Sequence, residues 1–425
     1  MGDRGAGKSA IFRQLANDSQ VRQARSTQLC PVANPGDLLR RIVGPEAWQD
    51  TDALRAAWLV VVAAVVAASV PSTASKDLRR SAGRLRTAVG LPVDSGSGVR
   101  KALRVVLRPF GGTTLKFSVG PVNLEAKLPS KSGGGSGRSS VDVEHFMEEV
   151  DRLLRESERR LVVMVDRIDE TFKYDRVKQE AVVQALLQAE SRVSQFGNVG
   201  ILILIRTDLF ELYDIQEKNK LISRTLTLDW TEEEWLQVLV RRLLANEPLE
   251  RLAARLRLAD GSVQTGAALR LLLPPEMEGQ PIDRWLVDSL RNGNGDISPR
   301  LAVLLLHLAR EASGGSDEPV SKLPLFTPDA LGRAMTRVSE LSFAEIVSDF
   351  KVASSFVLNC RAGKVQNFKL SEVENLFDLT EGDVSEQVRL LERLGFLERA
   401  VETDGSTVRS LFRIPKLYTR CWDYA

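Results

Sequence analysis

Two short, unbroken apolar runs stand out along the chain: 161–165, which ends in Asp166, and 199–205, which ends in Arg206-Thr207-Asp208. Continuous runs of this length, flanked by helical periodicity, predict parallel strands buried on both faces. Around them the apolar positions recur at helical spacing. A tight glycine loop leads into a helix over 9–17. The stretch 35–70 reads as helical, with Leu38, Leu39, Ile42 and Val43 on one face. An amphipathic helix covers 141–159, and helices dominate 231–312 with a break at Gly293-Asn294-Gly295. Residues 114–128 read as a hairpin turning at Gly120-Pro121.

The C-terminal part is patterned differently. A short helix over 370–377 precedes a second over 381–394, with Val384, Val388, Leu391 and Leu394 on one face. A hairpin follows, turning at Asp404-Gly405 and returning through 408–414. That is the outline of a winged helix-turn-helix. Its second helix carries four acids against two arginines over 380–395, net −2, which favours an intramolecular or protein-binding role over DNA.

The alternation of strands and helices gives an α/β class: a parallel sheet flanked by helices, followed by a helical lid and a C-terminal winged-helix domain. The expected domains are 1–230 (with a basic insert over 76–138 and a Gly/Ser linker over 130–140), 231–340 and 341–425. At 425 residues and 43% hydrophobic, several cores are accommodated.

Net charge is +2, but 76–138 holds thirteen basic residues against three acids, a local +10. This makes nucleic acid a candidate partner there. Three scattered cysteines and two histidines cannot build a zinc site, and they point to a reducing compartment. Met1 is followed at once by charged, glycine-rich residues, so no signal peptide is expected. The run 56–70 would span about 22 Å as a helix, short of the roughly 30 Å hydrocarbon layer. It reads as a buried helix, with no membrane partner, and the expected location is cytoplasmic.

The chemistry concentrates at the N-terminus. Gly2-Asp3-Arg4-Gly5-Ala6-Gly7-Lys8-Ser9 matches G-x-x-x-x-G-K-[ST] at every fixed position. Glycines let successive backbone N–H groups curl around phosphate oxygens, and the following helix aims its positive end at the same place. Lys8 adds a full charge, and the Ser9 hydroxyl suits magnesium. The expected nucleotide contacts run from Gly2 to Ala10. Asp166, closing the first apolar run, is the matching carboxylate, so Ser9 and Asp166 are the expected Mg2+ ligands. Asp169 or Glu170 would orient an attacking water, with Glu170 preferred. Arg206 reads either as a sensor of the terminal phosphate or as an ion-pair partner of Asp208 or Glu211. Arg300, in Ser298-Pro299-Arg300, reads either as a lid arginine reaching the nucleotide or as part of a plain helix start capped by Asp296 or Ser298.

With these residues in hand, the chain resembles prokaryotic P-loop ATPases related to the AAA+ and STAND switch ATPases. The resemblance rests on Gly2 to Phe12, on Asp166-Arg167-Ile168-Asp169-Glu170 and on Ile205-Arg206-Thr207-Asp208-Leu209-Phe210. It continues through Asp214 to Leu221, Leu228-Asp229-Trp230, Ser298-Pro299-Arg300, and Phe412 to Tyr418. It implies ATP and Mg2+ as ligands and a switch role in bacterial regulation or phage defence, with protein partners or self-association through lid and winged helix. Two other readings stay open: a nucleic-acid-dependent ATPase using the basic insert and wing, and a non-catalytic nucleotide-binding scaffold. In such folds a buried strand leads into the glycine loop. Only Met1 precedes Gly2 here, so the expectation is that this strand is missing and the native protein begins upstream.

Overall fold

The computed structural model describes residues 1–2, 5–17, 27–32, 35–89, 91, 113–119, 122–128, 140–172, 175–215, 218–245, 264–314, 323–369, 372, 381–404 and 407–424. The chain forms two compact units, one of Met1 with Lys8–Leu226 and one of Gly2–Gly7 with Thr227–Ala425.

The first unit opens with α1 (Lys8–Asn17), β1 (Thr27–Val32), α2 (Pro35–Ile42), α3 (Thr51–Val66) and α4 (Lys76–Ala88). Next come β2 (Thr113–Val119), β3 (Val122–Leu128), β4 (Ser140–Asp142), α5 (Val143–Glu156), β5 (Arg160–Val165), α6 (Arg176–Val193), β6 (Val199–Ile203), α7 (Thr207–Leu212) and α8 (Lys218–Leu221). Its main sheet has the order β1-β5-β6, parallel throughout, in register from Thr27↔Arg160 to Val32↔Val165 and from Leu161↔Val199 to Val165↔Ile203. The two apolar runs are therefore adjacent parallel strands. β5 lies in the middle, and Leu161, Val163, Met164 and Val165 are fully buried.

β1 was not anticipated. Thr27-Gln28-Leu29-Cys30-Pro31-Val32 lacks an apolar run, and Pro31 has no N–H to give a ladder. The strand tolerates proline because β5 is its one partner among the described residues. The helical stretch expected over 35–70 is broken. Gly44-Pro45 ends the first helix, and the Asp50 carboxylate accepts from the N–H groups of Asp52 and Ala53 to start α3.

α3 is apolar on all sides because it is surrounded. Ala57, Trp58, Val60, Val62, Ala63, Ala64 and Val66 have no exposed surface. By length and composition Thr51–Ser69 could cross a membrane, yet 72% of its apolar window is buried inside the protein. It packs on α6, where the Trp58 indole donates to the Val182 carbonyl at 3.1 Å. The expected hairpin is present as β2 and β3, paired from Thr113↔Leu128 to Val119↔Val122, with β4 parallel on the other side of β2. Its turn, the Gly/Ser linker (apart from Ser140) and much of the basic insert lie outside the described residues.

The second unit holds α9 (Glu232–Leu244), α10 (Thr265–Leu272), the short pair β7 (Glu276–Met277) and β8 (Gln280–Pro281), α11 (Ile282–Leu290), α12 (Pro299–Ala312) and α13 (Pro328–Asp349). It ends with α14 (Ser354–Ala362), β9 (Asn367–Lys369), α15 (Glu381–Arg393), β10 (Glu398–Asp404), β11 (Thr407–Arg413) and α16 (Lys416–Thr419). A capping box starts α9: the Thr231 side chain and the Glu234 carboxylate each bind the other's backbone N–H. The boundary expected at 340/341 falls inside α13, which runs unbroken for 22 residues. One apolar cluster extends from Trp235 through Leu305, Met335, Phe343 and Phe396 to Trp422. The C-terminal hairpin β10–β11 is antiparallel and takes β9 as its third strand. Of the helix expected over 370–377, all but Glu372 lies outside the described residues.

Candidate functional site

In the first unit the chemistry gathers where β5 ends and α1 begins. Asp166 follows the last residue of β5, and its N–H donates to the Val32 carbonyl at 3.1 Å. Its carboxylate is buried, with 4% of the residue exposed. A buried carboxylate needs a partner. Ser9, in the first turn of α1, supplies one: its Oγ donates to Asp166 Oδ2 at 2.8 Å across 157 residues of sequence. The structure thus brings two expected metal ligands into direct contact. A hydroxyl and a carboxylate oxygen form a hard-oxygen pair that fits Mg2+, which prefers one or two protein oxygens and completes its octahedron with water and phosphate. Among the described residues no three His, Cys, Asp or Glu converge to hold an ion alone.

After Asp166 the backbone turns sharply, with Arg167 at φ +59°, and Ile168–Glu170 form one 3-10 turn. Glu170 points outward, its side chain 58% exposed and 3.8 Å from the Arg167 guanidinium. Asp169 is more enclosed, 21% exposed, with its carboxylate 4.0 Å from Arg206. The Gln179 side-chain amide donates to the Asp169 carbonyl.

Arg206 sits just past β6 with its side chain 13% exposed. It grips Asp208 with two bonds, Nε to Oδ1 at 3.1 Å and a terminal nitrogen to Oδ2 at 2.5 Å. Of its two expected roles, the ion pair with Asp208 is the one the geometry displays, with Asp169 rather than Glu211 as the second carboxylate. Tyr213 lies beside this cluster. Burial, together with the nearby Asp169 charge, pushes its hydroxyl well above the usual range. The neighbouring Thr207 hydroxyl is buried without a hydrogen-bond partner.

The glycine loop belongs to the second unit. Gly5 and Gly7 have φ of +84° and +106°, a left-handed backbone that side chains strain. Gly2 makes a parallel bridge with Leu228, and the Trp230 indole N–H donates to the Ala6 carbonyl at 2.9 Å. On the other flank, a Cβ placed on Gly5 would lie 2.2 Å from Ser298 Oγ and 2.9 Å from Arg300 Cβ. The start of α12 therefore abuts the loop. Ser298 occupies the N-cap position with Pro299 next, yet its hydroxyl makes no capping bond and is buried unpaired. The Arg300 guanidinium turns to Glu345, at 3.1 Å. Asp3 and Arg4 lie outside the described residues, while Ala10 is exposed on α1.

Sequence reasoning named Trp230 only within the resemblance and gave it no role, and it left Tyr213 aside. An aromatic residue 224 positions from its acceptor leaves no local signal.

No protein-family model and no curated protein matches this chain. Among solved structures, it is similar to the Aeropyrum pernix ORC2 protein in ADPNP–ADP complexes, at 12% identity and a TM-score of 0.41, covering 100% of this chain and 86% of that one. It is also similar to the ORC1 protein of the same organism in complex with DNA, at 12% identity and a TM-score of 0.36, over 97% and 82% of the two chains. The ADP form of the ORC2 protein gives 12% identity and a TM-score of 0.35, over 100% and 85%.

Proposed function

We propose that this chain is a P-loop ATPase that binds ATP with Mg2+ through Gly2 to Ala10 and Asp166, and that it acts as a cytoplasmic switch. The observation that carries the reading is the 2.8 Å bond between Ser9 and Asp166. Two residues singled out independently, one by a glycine motif and one by a strand end, meet with the donor chemistry a phosphate-bound magnesium requires.

Within that reading, the loop N–H groups and Lys8 bind the phosphates, and Ser9 and Asp166 hold the metal. When bound, the ion supplies positive charge that neutralises the phosphate oxygens. Asp169 or Glu170 orients the attacking water, with the exposed and loosely paired Glu170 free to turn toward it. Arg206 faces Asp169, with its guanidinium 4.0 Å from that carboxylate. Arg300, whose Cβ lies beside the Gly5 backbone, links the loop to the helices expected as lid and winged helix over 231–425. A regulatory role, phage defence included, would rest on that linkage.

Calorimetry with Mg-ATP tests the proposal. The wild-type protein is expected to release heat with a single-site isotherm, and Lys8→Ala to show none. Glu170→Gln is expected to bind ATP but lose turnover, measured as phosphate release. Normal turnover in that variant would move the water-orienting role to Asp169, with Asp169→Asn the next variant. No heat from the wild-type protein would overturn the reading altogether.

A second reading has its own observation. On α4, Lys76, Arg79 and Arg80 are exposed side by side, which suits a polyanion-stimulated ATPase. Stimulation of turnover by DNA or RNA would favour it.

A further inference from the structure

We infer that Trp230 is a positioning residue of the phosphate loop, setting the direction in which the loop presents the Gly7 amide. The inference rests on the nucleotide-binding reading above and adds to it a residue far from the motif. A peptide unit is planar and trans, so the carbonyl of one residue and the N–H of the next point in opposite directions. The Trp230 indole holds the Ala6 carbonyl at 2.9 Å. The N–H of Gly7, on the other side of the same peptide, must therefore point away from Trp230.

Among the described residues other than its chain neighbours, none has an atom within 4 Å of where a Gly7 Cβ would stand. With its φ of +106°, Gly7 keeps an orientation few other residues would tolerate. Without the indole, the Ala6–Gly7 peptide could flip, turning a carbonyl oxygen toward a phosphate in place of a donor.

The rest of the loop is braced as though to keep this one peptide in place. Its entry is fixed by the Gly2↔Leu228 bridge, two residues before Trp230. Its Gly5 side is packed against Ser298 and Arg300. Trp230 is itself anchored, since its ring packs on the apolar cluster that contains Trp235. The segment 228–230 thus acts as a rigid rail along the loop. It sets amide geometry while contributing no group to the ligand.

Trp230→Phe removes the donor and keeps an aromatic ring. Relative to wild type, ADP and ATP are expected to bind about tenfold more weakly, the effect of losing one well-placed hydrogen bond. KM for ATP should rise by the same factor while kcat at saturation stays within twofold, because no group that orients water has been touched. The melting temperature without nucleotide should fall only by the few degrees that one lost hydrogen bond allows, and the split between a raised KM and an unchanged kcat is what a merely structural role would not give. Wild-type affinity in Trp230→Phe would overturn the inference and leave the nucleotide reading standing. Failure of the wild-type protein to bind ATP would overturn both.

A second measurement needs no variant. In nitrogen-15 spectra of the wild-type protein, the Trp230 indole N–H should exchange with water at least tenfold more slowly than free indole without ligand, and more slowly still with Mg-ADP. Exchange at the free-indole rate in both states would also sink the inference.

Discussion

Gly5 carries two constraints at once, a positive φ and a neighbour where its Cβ would be. The left-handed backbone alone costs a residue with a side chain about 1–2 kcal/mol. Gly5→Ala would also drive a methyl group into Ser298. We expect at least tenfold weaker ATP binding, measured by calorimetry. Gly5→Ala/Ser298→Gly should relieve the clash with Ser298 and leave both the close approach to Arg300 Cβ and the conformational share. Cys30 and Cys360 illustrate a different constraint. Burial pushes both thiols up to about 12. A thiol in an unfolded chain ionises near 8.5, so the folded state disfavours the thiolate. The stability tied to these groups is complete below about pH 8.5 and is lost as pH climbs through about 12. Alkylation by iodoacetamide at pH 8.5 should therefore be slow for both sites in the native protein and fast in urea.

At the scale of elements, α3 shows how much was legible and how much was not. Its apolar composition announced burial, but its start did not follow from periodicity. That start is fixed by Gly44-Pro45 and by the Asp50 cap, local chemistry within a stretch that reads as continuously helical. The strands β5 and β6 were readable because, past Arg160, they are short apolar runs. β1 was not, because a strand with one ladder partner among the described residues can carry polar residues and a proline. Its place beside β5 comes from pairing that only the folded chain reveals. Trp58 ties α3 to α6 with a buried indole bond. Trp58→Phe should lose about 1–2 kcal/mol in urea unfolding, from the unmade bond and the small void.

At the scale of the whole molecule, the site divides along the same line. Ser9, Asp166 and the glycines could be named because each lies within a short pattern. Trp230 and the contact of Ser298 with Gly5 could not, because they depend on segments more than 200 residues apart meeting in space. Charge shows a similar contrast. The local excess was visible in composition, but its usable part is smaller on α4: Arg86 is buried with 9% of its surface exposed, and Arg80 pairs with Asp77 at 3.2 Å. If nucleic acid binds here, neutralising Lys76, Arg79 and Arg80 together should flatten the dependence of affinity on salt. The log–log slope on duplex DNA should fall by up to about 0.9 for each phosphate that no longer meets a cation. An unchanged slope in filter-binding titrations would rule out nucleic acid on this face of α4.

The apolar cluster running unbroken from Trp235 to Trp422 has a consequence for how such a protein can be altered. Shuffling the terminal hairpin onto another host, or trimming it away, would take Phe412 from its stack on Phe368, with ring centres 5.6 Å apart, and leave the preceding helices with a raw, sticky flank. Protease treatment should accordingly yield no stable fragment cut near residue 340. Variation in the β10–β11 hairpin would be felt first as lost solubility of the bundle.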